Sequence, residues 1–183
     1  MTSTQWEQLK RLVRGETPDS LSTGFIIDSP WLPGWSGVSI LDYLSVDDIW
    51  FECNIAVNER FPDITFLPGF WMEYGMCTEP SAFGCVSSFP ENEFPFSSNI
   101  IETAEDIDRL RVPDVRTDGF LPIIMRKMKN MQARMRDRGH GVFFATSRGP
   151  STSPAFDRER LCGAVAVVSA GLLSLHRRCL SAG

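Results

Sequence analysis

The sequence predicts an α/β fold built on parallel strands, and three observations predict it. Compact apolar runs at Gly24-Phe25-Ile26-Ile27, Asp63-Ile64-Thr65-Phe66-Leu67 and Val142-Phe143-Phe144-Ala145 read as short buried strands. Two stretches of helical periodicity separate them, one from Ser45 to about Arg60 and one from near Asp118 to Gly139. The order strand, helix, strand, helix, strand is the pattern of a parallel sheet with right-handed crossovers. A hydrophobic content of 43% with 13 Phe and 5 Trp is enough for a packed core in 183 residues.

Taken in order, Thr4-Gln5-Trp6-Glu7 fits a capping box and opens a short amphipathic helix. Trp6, Leu9 and Val13 lie on one face of it, and Gly15 stops it. The first strand ends at Asp28-Ser29-Pro30 and leads into Trp31-Leu32-Pro33-Gly34-Trp35-Ser36-Gly37, which reads as a loop. Large rings just past a strand line a ligand cleft or, equally, cover the edge of a core. Ser45 caps the next helix, with Ile49, Trp50, Cys53, Ala56 and Val57 facing inward.

The second strand is broken by Pro68-Gly69 and followed by the aromatic and Met-rich stretch Phe70 to Cys77 with a single carboxylate, Glu73. Glu91 to Phe96 reads as an irregular excursion or a short edge hairpin. Thr103 caps a short helix that stops before Pro113. In the long helix after Asp118, Leu121, Ile124, Met128, Met131 and Met135 form one continuous apolar stripe, the mark of a core face. Arg126, Lys129, Arg134, Arg136 and Arg138 lie opposite, as a solvated face whose cations suit the helix C-terminus.

Charge and cysteine use narrow the function classes. The formal charge of -5 is unevenly spread: beyond residue 150, Arg158, Arg160, Arg177 and Arg178 outweigh Asp157 and Glu159 for a net of +2, so the first 150 residues carry -7. An acidic body of this kind argues against nucleic acid as a partner. Five cysteines (Cys53, Cys77, Cys85, Cys162 and Cys179), without C-x-x-C spacing, predict reduced thiols rather than a disulfide framework or structural zinc. The start of the chain has neither a basic segment nor an apolar core, and the apolar stretch Ala164 to Leu175 is too short to span a bilayer. The expectation is a cytoplasmic protein without a membrane partner.

The character of the chain changes after Gly149-Pro150. Ser151-Thr152-Ser153-Pro154 opens a small-residue run that ends in Arg177-Arg178-Cys179. Residues 1–150 are expected to form the ordered part. Residues 151–183 are expected to be an atypical tail, disordered or read from a shifted frame.

The segment Glu105-Asp106-Ile107-Asp108-Arg109-Leu110-Arg111-Val112-Pro113-Asp114, followed by a long helix and a strand ending Ser147-Arg148-Gly149-Pro150, resembles the uroporphyrinogen decarboxylase superfamily. Its members share an E-D-hydrophobic-x-x-L-x-x-P-D segment before the second barrel helix and a Gly-Pro after the third strand. The resemblance covers roughly residues 3–150 and implies the first three strands of a (β/α)8 TIM-type barrel with an N-terminal helical extension. In that superfamily the Gly-Pro continues into a helix resembling Leu-Asn-Ile-Ala-Ser-Phe. Codons for Ser151-Thr152-Ser153-Pro154-Ala155-Phe156, read two bases later, can encode Asn-Ile-Ala-Ser-Phe.

The superfamily implies two chemistries for the enzyme to which such a chain belongs: decarboxylation of the acetate arms of uroporphyrinogen, and methyl transfer to or from corrinoid proteins, often with zinc. The decarboxylases carry an Arg-rich segment after the first strand, whose guanidinium forks hold substrate carboxylates. Here the matching stretch is Asp28 to Trp35, and no arginine lies between Arg14 and Arg60. The decarboxylases also place an Asp after the second strand, where this chain has Leu67-Pro68-Gly69. Both departures favour the corrinoid-dependent methyltransferase branch, with uroporphyrinogen decarboxylase as the alternative and an inactive, self-associating piece with open strand edges as a third reading.

The expected partner of the full enzyme is a tetrapyrrole or a corrinoid protein, and its expected cofactors are zinc and a corrinoid. The His-x-Cys pair and later Cys that resemblance implies as zinc ligands are absent, since neither His140 nor His176 is followed by Cys two residues on. This chain itself is therefore expected to hold no cofactor. The candidate site residues are Asp28, Trp31 and Trp35 as pocket lining after strand one, with Glu73 and Tyr74 as catalytic polar groups after strand two. Arg148 follows strand three and would face the C-terminal mouth, where barrel active sites lie. Each of them also reads as a loop residue with structural hydrogen bonds.

Overall fold

A computed structural model of the chain describes residues 1–17, 22–27, 30–67 and 69–140. The strand expected at 142–145, the tail at 151–183, and both Asp28 and Arg148 lie outside the described residues. The described residues form two compact units, one of Met1–Trp71 with the residues from Met128 to His140, the other of Met72–Lys127.

The first unit contains the parallel strands. Helix α1 (Ser3–Val13) leads to β1 (Thr23–Ile26), followed by three helices, α2 (Trp31–Ser36), α3 (Ile40–Ser45) and α4 (Asp47–Arg60), and then β2 (Ile64–Leu67). β1 and β2 pair in parallel with Thr23 opposite Ile64 and Phe25 opposite Phe66. The helical connection between two parallel neighbours is the βαβ arrangement expected from the apolar runs. β2 is half-buried to buried, whereas β1 is exposed along its length, with Phe25 at 53% and Ile26 at 76%.

Several sequence expectations are corrected in this unit; Ser45, for one, ends α3 instead of capping α4, whose N-cap is Val46 with no side-chain cap bond. The capping box opens at Thr2 rather than Thr4: the Thr2 hydroxyl accepts from the Gln5 N–H at 3.3 Å, and Gln5 Oε1 accepts from the Thr2 N–H at 3.0 Å. Thr-x-x-Gln satisfies the same box rule, and Gln5 Nε2 also donates to the Ile64 carbonyl at 3.2 Å, which anchors the helix start to β2. The face of α1 carrying Trp6, Leu9 and Val13 is partly covered, with Trp6 and Leu9 half-buried and Val13 81% exposed. In α4, Trp50, Cys53 and Val57 are buried as expected, but Ala56 is exposed, and Phe51, Asn54 and Ile55 join the core.

The stretch read as a loop at Trp31–Gly37 is instead the helix α2. Pro30 supplies a helical φ of -69° just before it, and Pro33 sits in the first turn, where a missing N–H costs nothing. Gly37, at φ 73°, closes the helix in the left-handed conformation that glycine adopts without strain. Breaker residues placed at the two ends of six residues thus define a helix rather than prevent one.

Trp50, 1% exposed, anchors the core of this unit: its indole N–H donates to the Trp71 carbonyl at 3.1 Å and its ring lies 6.1 Å from that of Phe70. Asn54, also buried, donates through Nδ2 to the Tyr43 hydroxyl at 3.0 Å and to the Trp50 carbonyl at 2.8 Å. Its amide is therefore satisfied where water is excluded. Helix α7 (Leu121–Asp137) carries the expected stripe, and all five of its members are buried. It starts three residues later than expected because Gly119 has φ 56° and Asp118 caps a turn, accepting from the Asp114 N–H.

Two of the cations expected to be merely solvated have partners on α4. Arg134 pairs with Asp48 at 2.6 Å and Glu52 at 3.6 Å and lies over the Phe51 ring at 4.0 Å, while Arg138 pairs with Glu59 at 2.6 Å. Cations at the end of one helix against carboxylates of another fix the register of packing more than they add stability, because exposed pairs contribute little.

The second unit is irregular. Gly75–Cys77 forms a 3-10 turn that runs into α5 (Thr78–Ala82), and β3 (Ser87–Ser88) pairs antiparallel with β4 (Phe96–Ser97), so that of the two readings, excursion or hairpin, Glu91 to Pro95 forms the irregular connection of a short hairpin. Helix α6 (Ala104–Asp108) begins at Thr103 as expected, with the Asp106 carboxylate accepting from the Thr103 N–H at 2.9 Å. Ala82 and Leu121 form one buried cluster of this unit, covered by Phe83, Val115 and Met125.

Candidate functional site

The apolar alternation of β2 puts Ile64 and Phe66 on one face, opposite Thr23 and Phe25 of β1 in register. That face opens into a groove of about 420 Å³ lined by Phe25, Ile26, Ile27, Trp31, Phe61, Ile64 and Phe66. An aromatic row borders it. Trp31 stacks on Trp35 with centroids 6.0 Å apart and planes 16° from parallel, Trp35 meets Phe61 at 6.1 Å, and Phe61 meets Phe66 edge-on at 6.4 Å. Helix α2 sets the two indoles four residues apart and so on the same side of the chain. Trp31 and Trp35 remain 45% and 40% exposed, more than rings that serve only as core.

Among the described residues that line it none is charged, so this wall suits the face of an apolar or planar aromatic group. Of the expected site residues, Trp31 and Trp35 are brought together. Phe25, Phe61, Ile64 and Phe66 were not anticipated in this role, although the i, i+2 spacing of Ile64 and Phe66 already placed both on one strand face.

Glu73 and Tyr74 belong to the second unit. Glu73 is buried at 8% exposure and engaged with neighbours. The Tyr74 N–H donates to Thr78 Oγ1 at 2.8 Å. Its ring packs at 5.2 Å on Phe120 and at 6.1 Å edge-on against Phe89, so Tyr74 is part of an aromatic cluster.

Among the described residues no three His, Cys, Asp or Glu side chains are gathered as a metal site. Cys77 is fully buried, and burial, with Cys77 itself nearby, pushes the thiol of half-buried Cys85 up from its usual value. A raised thiol is a poorer ligand and nucleophile. No described helix is long and apolar enough to cross a membrane.

One buried titratable group has a measurable consequence. His140, 7% exposed, sits 5.1 Å from the Phe70 ring, and its Nδ1 has no hydrogen-bond partner among the described residues. Burial, aided by the positive charges of the chain's amino group and Arg138 and opposed by Glu59, pushes its pKa down from 6.5 to about 4. The unfolded chain then binds more protons than the folded one between those values, so stability is full above pH 6.5 and falls as pH drops toward 4. The expected loss is about 2–3 kcal/mol across that window. In His140→Phe this part of the pH dependence of urea unfolding should vanish; an unchanged slope between pH 6.5 and 4 would contradict the assignment.

No family profile, curated protein or solved structure matches this chain.

Proposed function

We propose that this chain forms the opening β/α units of a (β/α)8 barrel of the uroporphyrinogen decarboxylase superfamily, and that the enzyme it represents is of the corrinoid-dependent methyltransferase kind. The parallel β1–β2 pair joined through α4 supports the barrel reading, since that is the repeating unit of such a barrel. The observation that carries the choice of branch is the wall next to β1: Trp31, Phe61 and Phe66 with no guanidinium among them. A polycarboxylate tetrapyrrole needs cationic forks where this chain presents rings, and stripping its carboxylates of water against an apolar wall is costly.

Under this reading the groove provides an apolar wall for a partner or substrate surface. Zinc and the corrinoid would be held by residues other than those described, as would the reacting groups, so this chain by itself is not expected to turn over substrate. The exposed β1, with Phe25 and Ile26 bare, is then a surface that other strands of the barrel, or a second copy, would cover.

The test is activity of the enzyme translated from the complete reading frame, including the frame two bases later after Pro150. Methyl transfer from a methylated corrinoid to a thiol, abolished by a chelator, is the expected result. Conversion of uroporphyrinogen to coproporphyrinogen would assign the decarboxylase branch instead. If that enzyme shows neither activity, and the alternative frame has no continuation like Asn-Ile-Ala-Ser-Phe, the superfamily reading falls.

A further inference from the structure

A second concavity, within the unit Met72–Lys127, is polar where the groove is apolar. It measures about 440 Å³ and is lined by Ser81 to Gly84 at the end of α5, Arg109 to Arg111 after α6, and Thr117 to Gly119. Two arginines against the single Asp118 make its lining cationic in an otherwise acidic chain.

Each guanidinium has five N–H donors, and among the described residues each has one ionic partner. Arg109 Nη1 meets Asp106 Oδ1 at 3.3 Å, and Arg111 Nη1 meets Asp118 Oδ2 at 3.1 Å. Both arginine side chains are largely exposed, at 78% and 75%. Exposed pairs of this kind are worth little, so the arginines are free to turn toward another anion.

The carboxylates in turn do not depend on the arginines. Asp106 Oδ2 accepts from the Glu102 N–H at 3.1 Å and from both the N–H and the hydroxyl of Thr103 at 2.9 Å. Asp118 Oδ2 accepts from the Asp114 N–H at 2.8 Å, and Oδ1 accepts from the Thr117 hydroxyl at 3.1 Å. The backbone N–H of Glu102 for Asp106, and that of Asp114 for Asp118, is the foremost cause holding each carboxyl below its usual range. The acids are thus fixed to the backbone, and Gly119, packed against Ser81 and Ala82, fixes one wall.

We propose that this cavity binds a small molecule bearing an oxyanion, a phosphate or a carboxylate group, through the guanidinium forks of Arg109 and Arg111. Guanidinium geometry matches both anions bidentately. The assignment does not depend on the superfamily reading.

Titration of the full chain with inorganic phosphate and with malonate, followed by calorimetry, tests it. Saturable binding of at least one probe is expected, with a Kd of about 1 mM, corresponding to about -4 kcal/mol. The tighter probe assigns the source, phosphate or carboxylate. Arg109→Gln/Arg111→Gln should weaken binding at least tenfold while far-UV circular dichroism stays unchanged, because both side chains are exposed. Arg116→Gln, an exposed arginine outside the lining, should bind like the unmodified chain. Three results would overturn the assignment: no saturable binding of either probe, undiminished binding by the double variant, or an equal loss in Arg116→Gln.

Discussion

Trp50→Ala is expected to destabilise the chain by about 3–5 kcal/mol, the range for removing a large buried ring. Trp50 is 1% exposed on α4, so the variant opens a cavity beside Phe70 that neighbouring helices can close only in part. It also strips the Trp71 carbonyl of the indole N–H at 3.1 Å. A part-buried acceptor left without a donor adds a cost of up to about 1–3 kcal/mol, which Trp50→Phe isolates by keeping a ring and losing the N–H. The expected order in urea unfolding is wild type, then Trp50→Phe, then Trp50→Ala. A Trp50→Ala midpoint within 1 kcal/mol of wild type, a threshold well below the expected cavity cost, would show that this ring does not anchor the unit.

Gly119→Ala should cost a similar amount in the other unit, about 3 kcal/mol or more, from two independent causes. Gly119 has φ 56°, a left-handed conformation that disfavours any Cβ. An added methyl would also lie 2.5 Å from the Ala82 nitrogen and the Ser81 carbonyl carbon, and against Ser81 Oγ. Backbone cannot swing aside as a flexible side chain can. The same shift would break the Phe120 N–H to Ser81 Oγ bond of 2.9 Å, which ties the start of α7 to α5. All five tryptophans lie at or before Trp71, so hydrogen exchange of α5 and the residues around 119–121 is the direct readout. Unchanged protection there, with an unchanged melting temperature, would refute the prediction.

The features legible in the sequence are those set within a turn or two of chain. The stripe Leu121, Ile124, Met128, Met131 and Met135 could be read because helical periodicity alone places those residues on one face, and all five are buried. Thr103 announced α6, and the apolar runs announced β1 and β2 to within a residue. Where local signals competed, the reading slipped. Thr2 and Thr4 both begin a plausible capping box, and only the reach of Gln5 to the Ile64 carbonyl, 59 residues on, favours the first. Trp31–Ser36 contains Pro33 and Gly34, yet Pro33 falls in the first turn, where its missing N–H is harmless, and Pro30 and Gly37 bound the segment as a helix.

The candidate site was half legible. Trp31 and Trp35 stood out as large rings after a strand. Their neighbour Phe61 follows α4 by sequence and reaches them only through the fold. The arginine cavity had no sequence signal, because Ser81, Arg109 and Asp118 converge from three separate segments.

By itself, then, the chain's order of residues determined the helices α1, α4 and α7 and the strands β1 and β2, and the apolar stripe of α7, since those depend on backbone geometry and on neighbours one to four positions away. Only the tertiary structure decided the register that sets Phe25 of β1 beside Phe66 of β2, that Arg134 and Arg138 meet the acids of α4, and which rings enclose a groove. Those outcomes join residues tens of positions apart, and they are selected by the free energy of burying surface together, a quantity that no local pattern contains.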